Sequence, residues 1–224
     1  MNTLRRHKYA ILLAVLVGVA LLESFGQRLP RPLFSDFAMM TTMVLVFLIV
    51  FERGADRLVA FIALVTAAGT FAAHYVLSGS YPQLTLRVIH HSAKLVLIGF
   101  ATFVILRNIL AQRVIVTDDV LGAVCGYLLA AGAWASIFLL IESLSPGSFS
   151  VSQGFNAGLD TWDGRIAVLG NVSLGSLTGL GSTAAGAVQP PATILVPLEA
   201  LFGQFYIAVV VAQLVGARLS QESE

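Results

Sequence analysis

The sequence predicts an all-α integral membrane protein: six transmembrane helices, with a re-entrant pore helix and loop between the fifth and sixth. Three observations carry that prediction. Hydrophobic residues make up 57% of the 224 positions and charged ones only 11%, and the mean hydropathy is +0.87. Ordinary soluble domains carry about 25% charged residues. A bilayer-spanning helix needs about 20 apolar residues, so the apolar inventory matches about six spans. The third observation is a long segment ahead of the last apolar window, residues 142–190. Helix–helix connections usually run about 2–8 residues.

This composition excludes a soluble enzyme, a disordered chain and an extracellular disulfide scaffold. With 13 Lys or Arg against 12 Asp or Glu, no basic stripe exists to neutralise nucleic-acid phosphates. A single cysteine, Cys125, forms no internal disulfide and reads as a small packing residue. Neither a catalytic group nor a cofactor is expected.

Charge-poor windows place the spans. The first covers residues 9–25, after Arg5, Arg6 and Lys8. A basic start also suits a signal peptide, but Leu21-Leu22-Glu23-Ser24 offers no small-x-small cleavage pattern. The second covers 34–51 and follows Arg31-Pro32; the third covers 58–77 and ends at the turn-forming Ser78-Gly79-Ser80-Tyr81-Pro82. The fourth covers 88–106 and is the most polar, with His90, His91 and Lys94 near its start. The fifth covers 120–141; Thr117-Asp118-Asp119 before it supplies a cap and favourable first-turn charge. The sixth covers 191–215, with Pro191 in the first turn, where a missing N–H is harmless.

Orientation follows from Lys and Arg at the span ends. With the N-terminus inside, the cytoplasmic side holds Arg5, Arg6, Lys8, Arg53, Arg57, Arg107, Arg113 and Arg218. Arg28, Arg31, Arg87 and Arg165 lie outside. Both termini are therefore expected in the cytoplasm.

The 142–190 segment divides in three. Residues 143–159 are rich in Ser, Gly and Pro and read as an outer turret, and 160–177 read as a short helix of about 15 residues, too short to cross. The tract Thr178-Gly179-Leu180-Gly181-Ser182-Thr183-Ala184-Ala185-Gly186 reads as neither helix nor strand. Irregular backbone survives at membrane depth only when buried in protein or lining a wet cavity. A half-helix, a glycine-rich return and a following span together describe a pore loop, whose carbonyls face an ion. The competing interpretation is an extracellular loop with a flexible linker tract.

The final third resembles the pore module of tetrameric potassium channels, particularly six-span bacterial members. Those read T-L-T-T-L-G-Y-G-D-I-T-P followed by L-E-A-I-I-G-Q-x-Y-x-A-V-L-V-A. Here the matching stretches run Ser176-Leu177-Thr178-Gly179-Leu180-Gly181-Ser182-Thr183-Ala184, then Leu198-Glu199-Ala200-Leu201-Phe202-Gly203-Gln204-Phe205-Tyr206-Ile207-Ala208 and onward, without a gap. Val116-Thr117-Asp118-Asp119, Trp134, Glu142 and Ser145-Pro146-Gly147-Ser148-Phe149 resemble the outer helix and turret.

The resemblance implies a homotetramer that conducts monovalent cations passively, in a bacterial inner membrane. It makes Thr178, Gly179, Leu180, Gly181, Ser182 and Thr183 the selectivity filter. Gly179 replaces the family threonine, Ser182 the tyrosine, Thr183 the second glycine and Ala184 the acid. These departures imply a looser constriction with little discrimination for potassium.

On the last span, Gly203 sits where the family has a hinge. Gln204, Ile207, Val211 and Val215 form one helical stripe, expected to line an inner cavity. Glu199 is a buried charge within a span, expected to pair near the pore helix. Arg87, Lys94 and Arg107 lie 7 and 13 residues apart, not at the every-third spacing of a voltage sensor.

The chain thus divides into a four-helix region (1–115), a pore module (116–218) and a short cytoplasmic tail (219–224). Two other functions are open at this point. One is a non-conducting, channel-like scaffold or partner subunit. The other is an intramembrane metal or haem protein using His74, His90 and His91.

Overall fold

The computed structural model describes residues 7–26, 33–51, 54–76, 83–111, 116–153, 155 and 158–222. Within them lie seven helices and one two-stranded ribbon. In chain order these are α1 (Lys8–Gly26), α2 (Leu33–Val50), α3 (Ala55–Val76), α4 (Gln83–Ala111) and α5 (Thr117–Leu144). There follow β1 (Phe149–Val151), α6 (Trp162–Thr178), β2 (Ala185–Ala187) and α7 (Ala192–Glu222).

Four of the helices are long and apolar enough to cross a membrane, through Asp56–Ala73, Leu84–Ala111, Thr117–Leu144 and Ala192–Ala217. At about 1.5 Å rise per residue, the 26–28 residues of the last three exceed a hydrocarbon core of about 30 Å. Among the residues whose side chains are described, the apolar stretches in α1 and α2 are Lys8–Val19 and Met40–Val50.

Helix α5 is the organising element. It packs along α4 and α1 on one side and along α6 and α7 on the other. Leu12, Met43, Val46, Phe51, Leu97 and Ile105 form the centre of the larger core, all at most 2% exposed. Small residues allow the close approaches: Cys125 is fully buried on α5, and its thiol donates to the Tyr9 carbonyl at 3.4 Å. In lipid, such dense contact rather than expulsion of water holds helices together.

The acids before α5 divide their work. Asp119 accepts the Val116 N–H at 3.0 Å and so caps its own helix. Asp118 reaches across to accept the Tyr9 and Ala10 N–H groups of α1 at 3.4 and 3.3 Å. Those donors have no intrahelical acceptor in a first turn.

One expectation needs correction. The tract after α6 does contain a strand: β2 pairs antiparallel with β1, Phe149 facing Ala187 and Val151 facing Ala185. Ser152 N–H to Ala184 O at 2.9 Å and Val188 N–H to Ser148 O at 2.9 Å extend the ladder at both ends. Local propensity disfavours strand in Ala-Gly-Ala. The turret partner supplies the hydrogen bonds that the local sequence does not announce.

Candidate functional site: a helix, its return loop and their anchors

Helix α6 begins at Thr161, whose hydroxyl accepts the Gly164 N–H at 3.1 Å, a side-chain N-cap. It ends at Gly179, which closes the C-terminus with φ +74°. Its 17 residues span about 26 Å. Val168, Leu169 and Val172 are buried against Phe138 and Leu139 of α5 and Phe149 of β1. This second core fixes the helix beside α5.

The chain then doubles back on α6. The Gly179 N–H bonds Ser176 O at 3.0 Å and the Gly181 N–H bonds Gly175 O at 3.0 Å. A Cβ on Gly175 would strike the Gly181 carbonyl, so the return fits only because that side chain is absent. Gly181 also takes positive φ, +78°, whereas no described non-glycine residue does, Thr183 included. The Ser182 hydroxyl donates to Asn171 Oδ1 at 3.0 Å and accepts the Ala184 N–H at 3.1 Å. Ser182 thus ties the loop to the helix.

Exposure separates the tract's residues. Leu180 is 88% exposed, and Gly179, Gly181 and Thr183 are also exposed, whereas Thr178 and Ser182 are half-buried. The Thr178 hydroxyl donates to the Leu174 carbonyl of its own helix at 2.9 Å. The partial negative charge of the α6 C-terminus, about half an elementary charge, falls on this loop.

Three anchors hold the end of α6 between the long helices. Tyr127 on α5 donates its hydroxyl to the Leu177 carbonyl at 2.8 Å. Gly203 on α7 is buried, and a Cβ there would run into that same carbonyl. Glu199 on α7 is fully buried and hydrogen-bonded through Oε1 to the Ser173 hydroxyl, which lies 2.7 Å from the Ala131 carbonyl of α5. At the C-terminal end of α5, Glu142 accepts the Gly147 N–H at 2.8 Å and the Phe149 N–H at 3.2 Å, fixing the turn from which β1 emerges.

The other residues singled out from the sequence are placed as follows. Gly203, expected at a hinge, lies in a helix running without interruption from Ala192 to Glu222 and acts as a close-packing point. Gln204, Ile207, Val211 and Val215 are all exposed along α7. The Gln204 amide nitrogen lies 3.2 Å from where a Cβ on Gly179 would stand, which brings the stripe's first member beside the loop.

His90 and His91 are both buried on α4, and Lys94 is buried one turn on. The His90 Nδ1 lies 3.2 Å from Ala67 O and 3.3 Å from Thr70 Oγ1 of α3. The His74 side chain lies outside the described residues. Among the described residues no three His, Cys, Asp or Glu side chains gather as metal ligands.

Tyr127, Asn171 and Ser173 were not anticipated. Each is a hydroxyl or amide in a helix, but only Ser173 is buried, where a polar group needs a partner; Tyr127 is half-buried and Asn171 exposed. No protein-family model, curated protein or solved structure matches the chain.

Proposed function

We propose that this chain is the pore-forming subunit of a homotetrameric, potassium-channel-like ion channel that passes monovalent cations passively. In this reading the chain crosses a bacterial inner membrane six times with both termini in the cytoplasm, and α6 enters the bilayer without crossing it. The observation that carries the reading is the doubled-back loop at the end of α6. A helix too short to span is clamped between two long apolar helices, and its C-terminal dipole end meets a glycine-rich return whose Gly179, Leu180, Gly181 and Thr183 stay exposed in a single chain. Such a loop is one wall of an axial pathway, so symmetry mates are required to close it. Dipole ends and backbone carbonyls around that axis favour cations. The exposed stripe of Ile207, Val211 and Val215 gives the pathway an apolar inner wall able to gate by dewetting.

Single-channel recording from purified protein in planar bilayers tests this, with symmetrical potassium, sodium and chloride salts. Cation current with weak selectivity is expected. Silence in every solution would count against conduction.

A second reading, a non-conducting channel-like scaffold, is favoured by one observation: positive φ ends at Gly181, and the Ser182 hydroxyl is turned onto Asn171. Converting the tract with Gly179→Thr, Ser182→Tyr and Thr183→Gly separates the two. Potassium current gained only in the converted protein supports the scaffold.

A further inference from the structure

Glu199 is 0% exposed, and its Oε2 has no hydrogen-bond partner among the described residues. No ion pair reaches it among the described residues. The titratable side chain facing it from α5 is Tyr127, whose hydroxyl is spent on the Leu177 carbonyl. From α6 the facing group is Ser173. On its own helix, Tyr206 is turned to the Ala123 carbonyl at 2.9 Å. An isolated carboxylate buried without a counter-charge is so costly that such groups take up a proton instead.

Hydrogen counting points the same way. The Ser173 oxygen is within hydrogen-bond range of two acceptors, the Ala131 carbonyl and Glu199 Oε1. A serine hydroxyl carries one hydrogen, and a backbone carbonyl can only accept. Both short contacts are satisfied together only if the second hydrogen belongs to Glu199.

We propose that Glu199 is a proton-binding positioning residue. As the neutral acid it donates to the Ser173 oxygen, while Ser173 donates to the Ala131 carbonyl. One bound proton thereby ties α6 to both α7 and α5, directly behind the loop at Gly179. The importance of this tie for conduction rests on the function proposed above; the tie itself does not.

The test uses the full chain in lipid nanodiscs. Infrared spectroscopy of wild type at neutral pH should show a protonated-carboxyl C=O band that Glu199→Gln removes. Amide hydrogen exchange within residues 170–177 should quicken about tenfold in Glu199→Ala, which leaves Ser173 with one partner. It should stay near wild type in Glu199→Gln, whose amide donates in the acid's place. Raising the pH until the band disappears should lower the protection factors of these amides, each referred to the intrinsic exchange rate at that pH, in wild type but not in Glu199→Gln.

Absence of the band, unchanged exchange in Glu199→Ala, or protection factors that fall on acidification would each overturn the proposal. If Glu199→Ala does not fold, the band in wild type against Glu199→Gln decides alone. Protection that follows the proton in a protein passing no current leaves this inference standing and defeats conduction. Current alongside α6 protection indifferent to Glu199 does the reverse.

Discussion

In the bundle of α1 to α4, helices meet largely through apolar side chains such as Leu12, Met43, Phe51 and Leu97, with the buried His90 of α4 set against Ala67 O and Thr70 of α3. The ion pair of Arg107 with Asp56 there, at 3.4 Å, is exposed. In the α5–α7 module, polar atoms cross between elements at every level. Glu142 holds the turret, Ser173 and Glu199 the middle of α6, Tyr127 its end, and Ser182 with Asn171 the loop. Regular helices satisfy their own backbone and need only dense packing. A helix that ends inside the bundle, followed by irregular chain, leaves carbonyls and N–H groups that nothing local can satisfy. The module's polar ties are concentrated where the backbone stops being helical.

The contrast makes opposite demands on mutants in the two regions. The largest effect is expected from Glu142→Ala, which orphans the Gly147 and Phe149 N–H groups. Phe149 is buried whereas Gly147 is exposed, so at about 1–3 kcal/mol for an unsatisfied buried donor the loss is about 3 kcal/mol, read as a lowered thermal midpoint by circular dichroism. A wild-type midpoint would break the comparison, because the turret would then be held by packing.

In the bundle the corresponding blow is apolar. Leu97→Ala opens a cavity at a fully buried position and should cost about 3 kcal/mol in the same assay. A smaller loss, about 2 kcal/mol, is expected for Gly203→Ala, whose new methyl meets the Leu177 carbonyl. Increased proteolysis or exchange confined to α6 would locate that damage, whereas damage spread along α7 would argue for a hinge. The smallest effect belongs to Arg107→Ala. Its pair is 52% and 40% exposed, and such pairs contribute about 0–1 kcal/mol. A drop beyond about 1 kcal/mol would show that even an exposed ion pair matters in the bundle.

Much of this molecule was legible in its sequence. Windows of apolar residues placed the long helices but not all of their ends: 120–141 was expected where α5 runs Thr117–Leu144, whereas α4 and α7 extend five to seven residues beyond the expected 88–106 and 191–215; the short helix expected at 160–177 is α6, Trp162–Thr178. The glycine spacing at 179 and 181 marked the return, because only glycine takes the positive φ found at both positions. The ribbon of β1 and β2 was not legible. Neither strand has a pattern of its own, and each exists because the other lies beside it. Nor was the division of labour between Asp118 and Asp119. Both stand in the first turn of α5, but only the folded chain brings α1 beneath one of them.

Hydrophobicity and glycine placement determined where helices form and where the chain must turn, because those preferences act over a few neighbouring residues. Which polar groups meet was decided by the tertiary structure alone. Ser173 finds Ala131 from 42 residues away and Glu199 from 26, while Tyr127 finds Leu177 across 50. No local rule specifies such partners. They are selected by the requirement that a buried donor or acceptor be satisfied, and that requirement acts only once packing has brought the helices together.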